Sequence, residues 1–395
     1  MTLLAQHGWG KSDKITTALG SCSISGLILS PRDETPENAA AVLASIAEDH
    51  PDSTRLFDPL FHAGQIIPAN DGKLPDYDYY RPNLTRRDFI GAAKYVGYAR
   101  DVLGFQYGLD VTSLVSPTIE LVNFGDSSAQ IALQLADASS THHASIDDER
   151  PLLLSFLINE NALQSLDELD AFLDAITVME TDGYYLMMSR ASSTHNALIE
   201  PERLAALMYI VYILRVVNGF DVYCGYSDLI GLPLHAAGAT ASACGWYGTL
   251  RRFTFNRFRP SRGGRRARPR YLSTPALESI LISELDQIFE AGLIDEFISG
   301  TAYDGDFRTG SPYSVTWPDE RAALHHWEAL AARIIELESL TVDDALIRLV
   351  DWIDTAEAIR SEAEIAGVQF EPPSGVHLDM WRRAIRRFRE MAELT

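Results

Sequence analysis

Short runs of aliphatic, β-branched and aromatic residues alternate with longer stretches of helical periodicity over the first three quarters of the chain. That alternation predicts an α/β fold on a parallel sheet. Eight runs read as strands: Ser25–Ser30, Arg55–Phe61, Ser113–Leu121, Leu152–Ile158, Tyr184–Ser189, Phe220–Tyr226, Thr240–Trp246 and Tyr271–Thr274. Helix signals fall between them. Thr35 stands as N-cap before Pro36, a helix rich in small and aromatic residues runs from Asp88 to Leu103, and Ser165 with Glu168 forms a capping box. The apolar helix Pro201–Val217 closes at Asn218-Gly219, where glycine suits a left-handed terminus. Eight parallel strands fit a TIM-like (β/α)8 barrel of about 250 residues with insertions. An open doubly wound sheet is the alternative, although no Gly-rich dinucleotide turn follows the first run.

From Ala276 onward the pattern is helical: Ala276–Phe297, Asp319–Leu337, a helix opened by Thr341 with Asp344, and Val376–Glu393. These exceed what one barrel needs. Residues 1–298 are read as the barrel, Gly300–Trp317 as the loop that leaves it, and the rest of 299–395 as a helical C-terminal extension. Arg382, Arg383, Arg386, Arg387 and Arg389 give the final helix a basic face, which either covers acidic helices beside it or extends a second basic region.

That second region changes the picture most. Nine arginines lie within Arg251–Arg270, without lysine or acidic residues, in a chain of net charge −22. Without this window 24 basic residues stand against 55 acidic ones, so the remainder would repel phosphate, nucleic acid and anionic membrane. Arginine favours bidentate contact with phosphate or carboxylate. Phe255 and Phe258, interleaved with the arginines, are candidates for stacking on bases. The plain alternative is a loop that docks on the protein's own carboxylates or on a sister subunit.

Other features bound the class. A hydrophobic share of 46% supports a sizeable core. The longest apolar stretch, Leu204–Val217, is interrupted by Arg215 and falls short of the roughly 20 residues that span a bilayer, so no membrane partner is expected. The N-terminus shows no secretory signal, which points to the cytoplasm. Cys22, Cys224 and Cys244 are too few and scattered for a disulfide framework or thiolate zinc site. Neither metal nor cofactor is expected.

In a barrel, the reacting groups sit at the carboxyl ends of the strands. Polar residues there are Arg32 and Asp33, Asp58 and His62, Glu120, Asn159 and Glu160, Arg190, and Ser227 with Asp228. Asp58, Glu120, Glu160 and Asp228 are the candidates for acid, base or nucleophile, because carboxyls sharing a cleft push their pKa values apart. Arg32, Arg190, Arg251, Arg252 and Arg257, with Phe255 and Phe258, are the candidates for holding substrate; the arginine window follows the seventh strand, where such barrels commonly bind phosphate. Each has a bland reading. Asp58 precedes Pro59 and suits an Asx turn, Glu120 suits an arginine partner, and Asp228 suits a helix cap. His235 reads as a buried hydrogen-bonded ring, and His142-His143 and His325-His326 as residues of polar or helical surfaces without zinc-helix spacing. Ala5–Ser12 (AQHGWGKS) satisfies a relaxed phosphate-loop pattern, but only MTLL precedes it and a short polar KITTALG follows, so it is read as leading into the first strand.

Two family resemblances follow. Asn159-Glu160 resembles the acid/base dipeptide of retaining glycosidase barrels, although Cys244-Gly245-Trp246 stands where their nucleophile glutamate closes the seventh strand. The carboxylate-rimmed barrel with a basic, aromatic surface resembles tRNA-guanine transglycosylase-type barrels from Ser25 to Phe297, in architecture and substrate class only. Their Asp-Ser-Gly-Gly-Phe-Gln stretch and cysteine-rich zinc site are absent. The expectation is a protein that acts on or binds a phosphate-bearing substrate, nucleic acid or nucleotide, as a transferase or hydrolase. A non-catalytic subunit that docks an acidic protein partner, or a carbohydrate hydrolase, are the alternatives, and assembly with a second copy stays open.

Overall fold

The computed structural model describes residues 3–10, 12–67, 69–191, 197–260 and 268–394. Strand β1 (Leu3–Gln6) leads to α1 (Lys14–Gly20), and strands and helices then alternate: β2 (Gly26–Leu29), α2 (Pro36–Asp49), β3 (Thr54–Phe57), α3 (Ala92–Gln106), β4 (Leu114–Val115), β5 (Glu120–Leu121), α4 (Ser127–Ala144), β6 (Leu152–Asn159), α5 (Leu166–Thr177), β7 (Gly183–Ser189), α6 (Pro201–Tyr212), β8 (Asp221–Gly225), α7 (Gly231–Ala236) and β9 (Ala241–Cys244). The strands are parallel throughout, in the order β3-β2-β1-β9-β8-β7-β6-β4, with β5 also on β6. The two ends of this path, β3 and β4, come back together, so the sheet curls into a nearly closed barrel of eight strand positions. β4 and β5 share one position. At the remaining seam Arg55 N donates to Thr112 Oγ1 at 2.9 Å and Thr112 N to Arg55 O at 2.8 Å. Strands covered on both faces need apolar residues throughout, and in β6 every residue but Asn159 is buried.

The first barrel strand is therefore Leu3–Gln6, and the expected first run, Ser25–Ser30, holds the second. Four residues carry too little periodicity to announce a strand. The Ala5–Ser12 loop consequently does sit between a strand and a helix, contrary to the sequence reading. Lys14 of α1 closes it on itself, its Nζ donating to Gly10 O at 2.7 Å and Ser12 Oγ at 2.9 Å; Lys11 is outside the described residues. The expected eighth strand is also corrected. After α8 (Gly248–Arg251), Tyr271–Ser273 lie in β10 (Arg270–Ser273), antiparallel to β11 (Glu278–Leu281) and away from the barrel ladder. The helix expected at Ala276–Phe297 thus begins as β11, continues as α9 (Ile282–Glu290) and breaks at Gly292, with φ of 75°, before α10 (Ile294–Phe297). This hairpin, α9, α10 and α11 (Gly305–Thr309) form a second apolar cluster around Tyr271, Leu285, Ile288, Phe297 and Phe307, which Ala363 and Val368 complete from farther along the chain.

Helix α12 (Asp319–Glu338) packs on β1, α1 and α7, the place of the helix that follows the last barrel strand. Residues 245–318 thus interrupt the eighth β/α unit. Beyond it α13 (Val342–Ile365), capped by Thr341, packs on α7, and α14 (Val376–Met391) on α6 and α13, forming the C-terminal helical extension. The basic face of α14 covers acidic α13: Arg382 meets Asp354 at 2.6 Å and Glu357 at 2.7 Å, and Arg389 meets Asp343 at 2.8 Å. No helix among the described residues is long and apolar enough to cross a membrane.

Trp327 of α12 is fully buried and donates Nε1–H to Cys244 O at 2.9 Å. Trp327→Ala is expected to cost about 3–5 kcal/mol in urea unfolding, against under about 1 kcal/mol for Arg382→Ala on the outer layer. Equal, small losses would show that α12 is not integral to the barrel.

Candidate functional site at the mouth of the barrel

The hydroxyl of Tyr185 donates to Asp58 Oδ2 at 3.3 Å. Since β7 and β3 are not neighbours, this bond crosses the barrel interior. The alternation that points Tyr185 inward also points Met187 and Ser189 inward, and the register sets Asn159 beside Ser189. Glu120 joins them. Its Oε1 accepts from Asn159 Nδ2 at 2.7 Å and from Ser189 Oγ, while its own N donates to Gln65 Oε1 at 3.0 Å.

The segment after α8 folds across this mouth. Phe253 forms a parallel bridge with Ser189, Arg190 N donates to Phe253 O at 3.0 Å, and Asn70 N donates to Phe258 O at 2.6 Å. Phe253 and Phe258 are buried, Phe255 is half-buried, and the buried His62 ring meets Phe253 edge-on at 4.9 Å. Arg257 reaches down among them. Its guanidinium donates to Tyr226 OH at 3.2 Å, Ser30 Oγ at 3.1 Å and Asp33 Oδ2 at 2.6 Å. Arg32 donates to the other oxygen of Asp33 at 3.1 Å and lies 5.9 Å over the Phe258 ring. Arg257, Arg32 and Phe258 are thereby committed to holding the segment on the mouth.

Burial dominates the electrostatics. It raises Asp58 to about 6, against the Leu60 N–H at 3.0 Å, the Arg257 charge and Tyr185. Burial, helped by Arg257, lowers His62 to about 3. To one side of the mouth, burial and then the neighbouring Arg190 charge push Arg252 down to about 10, with Asp228 opposing. Arg190 is buried too. Its counter-charge is Glu160, 3.6 Å from Arg190 Nε and 3.5 Å from Arg203 Nη1, which also accepts from Ala191 N at 2.8 Å. Three guanidiniums thus lean on Glu160 and Asp228.

The four candidate carboxylates do not share one cleft. Asp58 and Glu120 face the interior, and Glu160 is turned to the arginines. Asp228 lies behind the wall, where its Oδ1 meets His326 Nε2 at 2.7 Å. Arg251 donates to Gly245 O at 2.9 Å. Farther along, Arg259 is exposed, Arg268 pairs with Glu371, and Arg270 donates to Ser279 O at 2.6 Å; Arg262, Arg265 and Arg266 are outside the described residues.

His235 is buried against Ser242 Oγ at 3.0 Å, and burial lowers it to about 4. His143 stacks on Tyr107. His325 and His326 are not surface residues: both are buried, His325 between Thr301 Oγ1 at 2.8 Å and Leu272 O at 2.9 Å. Sequence reasoning missed Tyr185 and Tyr226, which read as core aromatics although their hydroxyls bond Asp58 and Arg257. No spacing rule marks them. Compared with known proteins, the chain matches no family model and no curated protein.

Asp58 and His62 make opposite demands on pH. Folded Asp58 keeps its proton up to about 6, whereas an ordinary carboxyl loses it near 3.8, so its contribution to stability is complete below the lower value and lost as pH rises through the higher one. Folded His62 stays neutral down to about 3, whereas an ordinary imidazole protonates below 6.5, so its contribution is lost as pH falls. Between about pH 6 and pH 4 the two oppose each other at roughly 1.4 kcal/mol per unit. Relative to wild type, Asp58→Asn is expected to lose stability on acidification over that window and His62→Gln to gain it, as read from urea midpoints. Parallel curves for all three proteins would contradict both assignments.

Proposed function

We propose that this chain binds a phosphate-bearing ligand, a nucleic acid or nucleotide, at the mouth of its barrel. The supporting observation is the bridge between Ser189 and Phe253, which brings Arg252 beside Arg190 next to Glu120, Asn159 and Ser189. Crowded guanidiniums in a poorly solvated place favour a further anion. In this reading Arg190 and Arg252 hold one phosphate at the rim, and the exposed Arg259 meets the backbone beyond it. Glu120 then serves as the acid or base toward the group delivered to the interior. Arg251, Arg257 and Phe258 act indirectly, by fixing the segment in place.

One observation favours a second reading. Phe253, Arg257 and Phe258 fill the mouth, which suits a non-catalytic subunit that presents its outer arginines to an acidic protein partner.

Titration of labelled single-stranded DNA, duplex DNA and tRNA across a salt series tests the proposal. Wild type is expected to bind with log affinity falling linearly in log salt, and the slope to shrink by up to about 0.9 for each duplex phosphate that a variant leaves unneutralised. Arg190→Gln with Arg252→Gln should leave about one phosphate without its arginines, and Arg259→Glu, Arg262→Glu, Arg265→Glu and Arg266→Glu together several. No binding by wild type at low salt would overturn the nucleic-acid reading. Binding untouched by Glu120→Gln, with loss of turnover on the bound ligand, would support the enzymatic form.

A further inference from the structure

Three side chains far apart in sequence meet behind the barrel wall. After β8 the chain turns sharply through Tyr226 and Asp228, both in the left-handed region with φ of 54° and 46°, and this turn aims the Asp228 carboxylate away from the interior. Strand β9 contributes the second group. Ser242 faces His235 of α7, so alternation turns Cys244, two residues on, toward the same helix layer. His326 arrives from α12. A carboxylate oxygen, the Cys244 sulfur and an imidazole nitrogen lie within 4.8 Å of one another, and all three residues are buried.

We propose that Asp228, Cys244 and His326 form a binding site for a divalent transition-metal ion of the zinc class. The donor set selects the ion. Calcium and magnesium take oxygen ligands, whereas sulfur, nitrogen and oxygen together suit a borderline cation such as Zn2+. The charges also balance: a dication with one thiolate, one carboxylate and a neutral imidazole is neutral, the arrangement that burial tolerates best. Burial and the Asp228 charge push the Cys244 thiol up, with Arg251 opposing, so an ion that binds here displaces a proton from the sulfur.

The geometry needs little adjustment. Zinc bonds of about 2.0–2.3 Å in a tetrahedron set ligand atoms roughly 3.3–3.6 Å apart. The 2.7 Å contact between His326 Nε2 and Asp228 Oδ1 therefore opens by about 0.6 Å, and the sulfur, within 4.8 Å of both, closes by no more than about 1.3 Å. No fourth histidine, cysteine or acid among the described residues joins the group. Three protein ligands leave a fourth position for water or substrate, as zinc sites with chemical roles do. The placement adds a consequence. Cys244 immediately precedes residues 245–318 and α12 directly follows them, so one ion ties together both ends of the insertion that carries the arginines.

The competing description is a buried Asp228–His326 hydrogen bond with an idle thiol beside it. Untagged full-length protein, stripped with chelator and dialysed against Zn2+ or Co2+, separates the two. One ion per chain is expected by elemental analysis. The Co2+ form should show a thiolate charge-transfer band that survives in Cys22→Ser and vanishes in Cys244→Ser, and His326→Gln and Asp228→Asn should weaken binding by more than about 100-fold, beyond what loss of an outer-shell partner costs. Circular dichroism checks that each variant folds. If Cys244→Ser does not, the Cys22→Ser, Cys224→Ser double variant decides, because its only thiol is Cys244 and the band must persist. The proposal is overturned if wild type takes up no stoichiometric ion at about 10 µM free metal, an affinity far weaker than a protein zinc site supplies. A band lost in the double variant would overturn it equally.

Discussion

Every backbone N–H and C=O on a strand buried between helices has to find a partner, and closing a parallel sheet on itself meets that demand by removing its edges. In this chain closure rests on two junctions, β1 pairing with β2 on one side and β9 on the other, and the seam where Arg55 of β3 meets Thr112 ahead of β4; the polar residues of the mouth keep their mutual positions because both hold. Tyr185 can reach Asp58 across the interior only if β7 and β3 are held on opposite sides of one barrel. The same ring fixes Ser189 where Phe253 can add to it.

The mouth carries its charge in layers. Deepest is Asp58, which burial holds nearer to neutrality than an exposed carboxylate. Above it Arg257 and Asp33 form an internal pair that pins the arginine segment down. Beside it Arg190 and Arg203 meet on Glu160 with Arg252 close to Arg190, and outermost stands the exposed Arg259. One run of arginines thus supplies both an internal anchor and an outward positive surface, because a guanidinium can be buried when a carboxylate and hydroxyls meet its donors and stays solvated when they do not.

Much of this architecture was legible in the sequence. Runs such as Leu152–Ile158 are apolar at almost every position, as strands covered on both faces must be, and the caps at Thr35 and Thr341 mark helix starts through bonds the structure contains. What was not legible depended on partners distant along the chain. Leu3–Gln6 is too short to show a period, and its identity as a strand comes from its two neighbours. Tyr271–Thr274 has the composition of a strand but nothing that separates a barrel position from a hairpin. The site residues divide in the same way: Asp58, Glu120 and Arg190 were visible as polar residues at strand ends, whereas Tyr185, the burial of Arg257 and the meeting of Asp228 with His326 arise only from tertiary placement.

The division of the last β/α unit by residues 245–318 bears on how the chain comes off the ribosome. The free edge of β1 waits for β9, more than two hundred residues later, as the Trp246 Nε1 bond to Trp9 O also spans. Even then the wall at Cys244 stays bare until the insertion has been made and Trp327 arrives. During that interval an apolar sheet with an open edge is exposed to every other nascent chain nearby. The insertion's own apolar residues, among them Tyr271, Leu285, Ile288 and Phe297, let it begin to collapse locally in the meantime, which shortens the effective distance that α12 must search. Ala363 and Val368 complete that cluster only after α13 is made.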